Sequence, residues 1–226
     1  MTASVIIVSY HTEHFAALLA SALEKARSAQ RILVVDTREQ YPAEPNAAPW
    51  PGGLLWEHLP TNPGYGAACN WGAIRLGDHD LLCFCNGDVL MPAESLDAMA
   101  RAFEQQPNLG ATGPRLLTPQ GGWEAPQQDW CKGAVLMVRG ELFTRLPWQW
   151  GTQRGIGFDE RFPHGWEETD LLRRIREAKW AVRHTPDAWC YHFDGLSPNP
   201  PGTTKGALHE LGKQRYREKW GDEATF

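Results

Sequence analysis

The chain has 226 residues, 42% of them hydrophobic, and a formal net charge of -5 at pH 7. This length suffices for one large domain, expected over residues 1–226, and the acidic balance argues against a nucleic acid partner held by general electrostatics. The five cysteines lie mostly in apolar runs without paired CxxC spacing, and residues 1–10 lack the features of a signal or a membrane span. We therefore expect a cytoplasmic protein with reduced cysteines and at most peripheral membrane contact.

Short apolar runs alternate with amphipathic segments through the first part of the chain. Residues 4–9, 31–36 and 80–85 are largely apolar, as in parallel strands that are buried on both faces. Residues 13–27 carry apolar side chains at helical spacing, which predicts a helix with Thr12 as its N-cap. The other predicted elements here are strands at 54–59 and 108–117, helices at 64–76 and 93–105, and a proline-rich loop at 40–53.

The second part of the chain is less regular. A long loop at 147–162, rich in glycine and tryptophan, is a candidate wall of an active site. Residues 167–178 predict a helix whose acidic first turn and later arginines agree with the helix dipole. The other predicted elements are strands at 133–138, 180–185 and 188–192, a short helix at 141–146, a lid-like loop at 197–204 and a basic helix at 205–220.

Alternating strands and helices that end in a mixed sheet predict an α/β sandwich, whose ligands bind beyond the carboxyl ends of the strands. Asp36, Asn86, Asp88 and His192 all lie at or just after such ends. Two metal ligands and a base could come from Asp88, His192 and the acidic cluster at 167–170. Such a set suggests chemistry on a nucleoside diphosphate, although Asn-Gly-Asp alone is equally typical of a plain turn.

An ordered series of segments carries a more specific signal. The series resembles the inverting glycosyltransferases of family two, which have the GT-A fold, and it is most similar to their rhamnosyltransferase-like branch. The resemblance runs from about residue 4 to Lys219. The segments that carry it are Val5 to Tyr10, Val34 to Asp36, Asn62 to Gly72, Asn86 to Val89, Gly133 to Arg139, Gly157 to Phe162 and Glu167 to Leu171.

This resemblance implies a Rossmann-like three-layer sandwich with a mixed, mostly parallel sheet. It implies transfer of a hexose or deoxyhexose from a UDP-, TDP- or GDP-linked sugar to a hydroxyl of a saccharide, glycan or other acceptor. The expected division is a nucleotide-binding half at 1–118, an acceptor-binding and catalytic half at 119–196, and a C-terminal lid and helix at 197–226.

The resemblance places the nucleotide near the ends of the first two strands. Ser9, Tyr10 and Asp36 are then expected near the base, where Asp36 would accept a hydrogen bond from a ring N–H. Asn62 and Gly64 would line the nucleotide sugar. The alternatives are that Asp36 caps a turn, and that the small residues after Asn62 only pack a helix tightly against the sheet.

The metal site is expected at Asn86-Gly87-Asp88, which resembles the Asp-any-Asp motif of the family with Asn in the first position. Asp88 would then ligate Mn²⁺ or Mg²⁺, with Asn86 and Gly87 beside the donor. His192 matches a histidine that completes the metal site in some members. As a lone residue, His192 is more often a partly buried imidazole with its hydrogen bonds satisfied.

The catalytic base is expected at Glu168, which occupies the second position of the usual Glu-Asp pair and adds one methylene to it. Glu167 would contact substrate beside it, although an acidic residue there also favours a helix N-terminus.

Four aromatic or charged positions are expected to contact substrate elsewhere. Asp129 and Trp130 match a region that faces the acceptor or the donor sugar, and a sugar ring could stack on Trp166, which precedes the expected base. The alternative for each tryptophan is packing against the core. Lys205 would bring positive charge to the diphosphate, unless it belongs to a solvated helix face.

Two other function classes fit a similar scaffold. A sugar nucleotidyltransferase would show a glycine-rich phosphate loop after the first strand, and residues 9–13 are not one. A non-catalytic nucleotide- or carbohydrate-binding module is disfavoured by the presence of both Asp88 and Glu168. One departure from the family concerns residues 37–40, Thr-Arg-Glu-Gln, where Asn and Ser are usual.

Overall fold

The computed structural model describes residues 1–39, 54–119, 121–123 and 131–221. Most of the strands in these ranges join one eight-stranded sheet. From edge to edge, this sheet consists of β3 (Leu54–His58), β2 (Ala29–Asp36), β1 (Ala3–Ser9), β4 (Leu81–Asn86), β7 (Val135–Arg139), β6 (Leu109–Leu117), β10 (Ala181–His192) and β5 (Val89–Leu90). Two further strands, β8 (Trp148–Trp150) and β9 (Gln153–Gly155), form a separate antiparallel hairpin.

The strand directions bring the predicted polar residues to one edge of the sheet. β1 pairs in parallel with β2 and β4, β2 with β3, and β6 with β10. Among the described strands of this sheet, only β7, between β4 and β6, and β5, beside β10, run antiparallel to their neighbours. The parallel strands therefore end together, at Ser9, Asp36, Asn86 and His192, and we call this side of the sheet the carboxyl edge. The predicted mixed, mostly parallel sheet is confirmed.

Helices cover both faces of the sheet because successive strand residues point to opposite sides. Val5 and Ile7 pack with one set of helices, whereas Ile6 and Val8 pack with the other. The first set is α1 (Glu13–Leu23) and α3 (Ala93–Gln105). The second set is α2 (Tyr65–Leu76), α4 (Gly140–Arg145) and α5 (Glu167–Glu177). The result is a three-layer sandwich with two buried apolar layers, and α6 (Lys205–Trp220) packs outside on α5.

The structure differs locally from the sequence prediction. The first helix ends at Leu23, because the chain must turn before β2 begins at Ala29. Thr12 precedes this helix but makes no side-chain capping bond to it. The predicted strands at 180–185 and 188–192 form one strand with an irregular register between His184 and Trp189, where Pro186 lacks an N–H for the ladder.

Two short elements were not predicted. The loop expected at 147–162 contains the β8–β9 hairpin, and β5 follows Asp88 directly. All five cysteines are buried with free thiols, in agreement with the prediction of core residues. Among the described residues, no helix has the length and apolar character needed to cross a bilayer.

The buried amide of Asn70 ties α2 to the segment that precedes α5. Its Nδ2 donates to the Phe158 carbonyl over 2.9 Å, and its Oδ1 accepts from the Phe158 N–H over 2.8 Å. The same Nδ2 also reaches Glu160 Oε1, at 2.9 Å. One side chain thus satisfies both backbone polar groups of a fully buried residue.

We expect Asn70→Ala to lower the free energy of unfolding by about 1–3 kcal/mol, because it leaves buried backbone groups of Phe158 without partners. Urea denaturation measures this loss. The matched control is Ile74→Ala on the same helix, where the side chain is 80% exposed and the expected change is within about 0.5 kcal/mol. Equal effects of the two substitutions would contradict the structural role of Asn70.

Candidate active site

The turn after β4 sits directly against the end of β1. A Cβ atom at Gly87 would lie 2.9 Å from the Val8 carbonyl oxygen and 3.0 Å from Ser9 Cα. Only glycine permits this approach, since any side chain would push the turn off the strand. Asn86 anchors the same turn by donating its N–H to the Ala134 carbonyl over 2.9 Å. The close packing delivers Asp88 to the carboxyl edge.

Asp88 and His192 meet at this edge, although they are far apart in the sequence. Their backbones are adjacent because β5 pairs with β10, with His192 opposite Val89. The Asp88 carbonyl also accepts from the Phe193 N–H over 3.1 Å. Asp88 Oδ1 lies 3.3 Å from His192 Nε2, and both side chains are largely buried. The structure brings together the two residues that the sequence predicted as metal ligands.

The pair suits a divalent cation that shares its coordination with a substrate. A carboxylate oxygen and an imidazole nitrogen are both ordinary ligands of Mn²⁺, and the carboxylate also suits Mg²⁺. In the described part of the chain, no group of three or more His, Cys, Asp or Glu side chains has a metal-holding arrangement. Two protein ligands leave further coordination positions for phosphate oxygens and water.

The start of α5 forms a second part of the site. Trp166, the residue before the helix, adopts a left-handed conformation with φ of 76°. The chain then turns so that Glu168 lies against Gly133, where a Cβ atom would be 3.2 Å from Glu168 Cδ. Glu167 is buried, and Glu168 is partly exposed. Among the described residues, the buried Oε2 atoms of both have no hydrogen-bond partner.

Burial changes the acidity of both glutamates. It raises the pKa of Glu167 well above the ordinary value, and the neighbouring charge of Glu168 adds to this effect. The pKa of Glu168 is also raised by burial, while backbone N–H groups at the helix start and Lys132 favour the carboxylate. The carboxyl group of Glu168 therefore has a proton affinity above that of a solvated glutamate, as a general base requires.

Charged groups connect the Asp88–His192 pair with the start of α5. Lys205 forms an ion pair with Asp194, two residues after His192. Burial lowers the pKa of His164, as do Lys205 and His209, whereas Asp194 and Asp88 act in the opposite direction. The charge of Lys132 favours the carboxylate form of Glu168. The pKa of Asp194 is lowered mainly by its hydrogen bond with Lys205, and Lys132 contributes to the same effect. The two parts of the site therefore share one electrostatic environment. Of its charged residues, the sequence predicted Lys205 but not Lys132 or His164.

Arg38 covers Asp36 at the end of β2. The Asp36 side chain is fully buried, and the Arg38 guanidinium grips it with Nε 3.0 Å from both carboxylate oxygens and NH2 2.6 Å from Oδ2. Arg38 NH1 also lies 3.1 Å from Glu13 Oε1. The sequence did not predict this pairing, and the only signal for it was the unusual Thr-Arg-Glu-Gln stretch after Asp36.

The other residues predicted to line the nucleotide lie around the same edge. The Ser9 hydroxyl is 3.3 Å from that of Thr12, and the Tyr10 hydroxyl donates to Glu39 Oε1 over 3.1 Å. Burial and Glu39 raise the pKa of Tyr10, while a hydrogen bond with Asn62 acts the other way. Asn62 Oδ1 in turn accepts from the Gly64 N–H over 3.0 Å. Tyr10 and Asn62 therefore meet across the edge.

The predicted acceptor contacts are only partly described. The Trp166 ring packs against α6, with centroid distances of 5.3 Å to Tyr216 and 5.6 Å to His209. Asp129 and Trp130 lie outside the described residues. Of the positions predicted to contact the acceptor or the donor sugar, the structure therefore describes only Trp166, whose ring packs against α6.

Solved structures with the same fold bind nucleotides or nucleotide sugars. GalNAc-T7 with UDP, GalNAc and Mn²⁺ aligns with a TM-score of 0.71 at 14% identity over 99% of this chain, which spans about half (48%) of that protein. The mannosyltransferase PcManGT from Pyrobaculum calidifontis, with GDP-Man and Mn²⁺, aligns with a TM-score of 0.62 at 16% identity, covering 88% of this chain and 58% of that one. TarS 1-349 from S. aureus, with UDP-GlcNAc, aligns with a TM-score of 0.64 at 14% identity, covering 93% and 64%. These likenesses confirm the GT-A fold.

Sequence comparison gives information on the family in addition to the fold. The N-acetylglucosaminyl-diphospho-decaprenol L-rhamnosyltransferase of Mycobacterium tuberculosis is 28% identical in an alignment of 253 positions, gaps included, which covers 91% of this chain and 80% of the relative. The sequence model of Glycosyl transferase family 2 matches residues 4–160. This match covers most of the chain and includes β1, β4 and the turn with Asp88. The chain belongs to glycosyl transferase family 2 and is a glycosyltransferase.

Proposed function

We propose that this glycosyltransferase moves a hexose or deoxyhexose from a nucleoside diphosphate sugar to an acceptor hydroxyl, with inversion at the anomeric carbon and with a divalent cation bound. The observation that carries the proposal is that the Asp88–His192 pair and Glu168, which lies against Gly133 just before β7, are placed along the same edge of the sheet. A cation-binding pair and a carboxyl group with raised proton affinity are what a direct displacement on a diphosphate-linked sugar requires.

Asp88 and His192 are the residues that would hold Mn²⁺ or Mg²⁺. When bound, such a cation neutralises charge on the diphosphate leaving group. The β5–β10 pairing fixes the position of Asp88 beside His192, and both side chains are largely buried. Lys205 supplies positive charge nearby, from the first turn of α6. The Mn²⁺ present with GalNAc-T7 and PcManGT supports a cation here.

Glu168 is the residue that would accept the proton of the acceptor hydroxyl. As the acceptor oxygen bonds to the anomeric carbon, the bond from that carbon to the diphosphate oxygen breaks, and the acceptor proton passes to the Glu168 carboxylate. Glu168 Oε2 is buried and has no hydrogen-bond partner among the described residues, so an acceptor hydroxyl that reaches this atom displaces no existing bond there. Glu167, more deeply buried beside it, would form part of the substrate wall.

The nucleotide would occupy the part of the edge formed by β1 and β2, within the proposed nucleotide-binding half at 1–118. Ser9, Tyr10, Asn62 and Gly64 lie around this part of the edge. A base reaches the Asp36 carboxylate only when Arg38 moves aside, because Arg38 occupies both carboxylate oxygens. The relative from M. tuberculosis makes a rhamnosyl donor and a glycosylated diphospholipid acceptor the first pair to test.

Calorimetry with UDP-, TDP- and GDP-linked sugars, each with and without Mn²⁺, tests the proposal as a whole. We expect at least one donor to bind, and to bind more tightly with Mn²⁺. A sugar nucleotidyltransferase would instead form a nucleotide sugar from a sugar phosphate and a nucleoside triphosphate. A chain that bound none of the donors would contradict the proposed function.

We expect Asp88→Asn and His192→Ala each to weaken Mn²⁺ binding in the presence of UDP by at least about tenfold, since loss of an outer-shell partner alone costs 10- to 100-fold. Titration calorimetry measures this effect. Asp78→Asn and His14→Ala are matched controls at exposed positions and should leave the affinity unchanged. Unchanged affinity in His192→Ala would remove this residue from the site.

We expect Glu168→Gln to lower kcat roughly 100- to 10,000-fold, because the amide has the shape of the acid but cannot accept the acceptor proton. A coupled assay of nucleoside diphosphate release gives the rate. Glu177→Gln, at the exposed end of the same helix, is the control and should retain the rate of the unsubstituted chain. Near-normal turnover by Glu168→Gln would rule out this base.

The pH dependence follows from the raised pKa of Glu168. The base acts as a carboxylate, so kcat should rise with pH along a limb whose midpoint lies above the ordinary glutamate value of 4.5. Lys132 favours the carboxylate, and Lys132→Met should therefore move the midpoint to higher pH. The exposed Lys25 provides the control variant, Lys25→Met, which should not move it. A limb centred at 4.5 or below would contradict the assignment.

A further inference from the structure

The C-terminal helix α6 covers the segment that leads into α5. Tyr216 is almost fully buried, and its ring lies 5.3 Å from the ring of Trp166. A Cβ atom at Gly212 would lie 2.9 Å from both the Gly165 carbonyl oxygen and Trp166 Cδ1. The helix backbone therefore touches the residues immediately before Glu167 and Glu168. Any movement of α6 would free this turn.

One buried lysine of α6 joins two acids that belong to different parts of the chain. The Lys219 side chain is only 3% exposed, and its Nζ lies 2.9 Å from Asp159 Oδ2 and 2.6 Å from Asp170 Oδ1. Asp159 lies in the segment that α2 holds through Asn70, and Asp170 lies in the first turn of α5. Both acids are fully buried. An ammonium group is tolerated in such a place only when it is paired.

Each acid also has a cationic partner of its own. Arg161 reaches the two carboxylate oxygens of Asp159 over 2.8 and 2.6 Å. Arg174 reaches Asp170 over 3.0 Å, and Trp220 Nε1 donates to the same carboxylate over 2.8 Å. Loss of Lys219 would thus leave neither acid without a positively charged neighbour. Trp220 also fastens α6 to Asp170, and the distinct contribution of Lys219 is to bridge the two acids.

We propose that Lys219 is a positioning residue, which clamps α6 onto the start of α5 and thereby holds the Glu168 carboxyl in its working position. The inference rests on the proposed function, because it takes Glu168 as the base. Asp170 follows Glu168 closely in the first turn of α5, so a bridge to Asp170 restrains the backbone that carries Glu168. On the other side, the bridge to Asp159 joins this turn to the segment held by Asn70.

The test compares Lys219→Met with Lys213→Met, a matched substitution at a partly exposed position of the same helix. We expect Lys219→Met to lower kcat about 10- to 100-fold, as misplacement of a catalytic group does, while KM for the donor stays the same. Lys219→Arg should recover part of the rate, because it keeps the positive charge. Lys213→Met should keep both constants.

Hydrogen–deuterium exchange of residues 164–170 separates the clamp from the proposed reaction. We expect these amides to exchange faster in Lys219→Met, but not in Lys213→Met. Unchanged exchange, or unchanged kcat with an active unsubstituted chain, would overturn the clamp. The fraction of protein that still binds donor measures how much of each sample is active. If kcat fell only in proportion to this fraction, each active molecule would turn over at the normal rate, and the clamp would be overturned as well.

Failure of the proposed function would look different, because the unsubstituted chain would then turn over no donor. The exchange experiment would still decide whether α6 restrains residues 164–170. If Lys219→Met does not yield folded protein, the same two readouts apply to Lys219→Gln, which keeps a hydrogen-bond donor.

Discussion

The short antiparallel pairing of β5 with β10 is the interaction on which the site depends. It involves two residues on each strand, with Leu90 opposite Tyr191 and Val89 opposite His192. Backbone hydrogen bonds, rather than flexible side chains, therefore set the separation of Asp88 and His192. A pair held in this way keeps its geometry before any ligand arrives, which lowers the cost of ordering the site on binding.

The buried acids of this protein fall into two groups. Asp159 and Asp170 are surrounded by cations, namely Arg161, Arg174 and Lys219, which offset the cost of removing a carboxylate from water. Glu167 and Glu168 instead have buried oxygens without hydrogen-bond partners in the described ranges, and burial raises the pKa of both. The ion-paired acids join separate segments of the scaffold, whereas the raised pKa values of Glu167 and Glu168 are typical of a candidate functional site.

The ends of β1 and β2, where we propose that the nucleotide binds, are organised differently. Here Asp36 is satisfied within the protein, by a guanidinium that also contacts Glu13 at the start of α1. The planar fork of an arginine matches both oxygens of a carboxylate, so this contact is stronger than one with lysine. Tyr10, Glu39 and Asn62 form a second group of polar contacts beside it. The Thr-Arg-Glu-Gln stretch, which departs from the family pattern after Asp36, therefore supplies the arginine that pairs with Asp36.

Local patterns in the sequence were enough to predict most of the fold. Continuous apolar runs identified β1, β2 and β4, and helical spacing identified α3 within the bounds that the structure shows, because burial imposes its own period on each element. The placement of Asp36, Asp88 and His192 at strand ends followed from the same patterns. Sequence patterns did not reveal β5 or the β8–β9 hairpin, because strands of two or three residues are too short to show a period.

By itself, the sequence determined the α/β class, the family resemblance and the types of residue available for chemistry. Only the tertiary structure decided which of these residues meet. The 3.3 Å contact of Asp88 with His192 depends on sheet register, the seat of Glu168 against Gly133 depends on how α5 packs, and the grip of Arg38 on Asp36 depends on a side-chain conformation. Lys219 reaches two acids remote from it in the chain for the same reason. Such contacts between distant residues arise from packing as a whole, which no local period encodes.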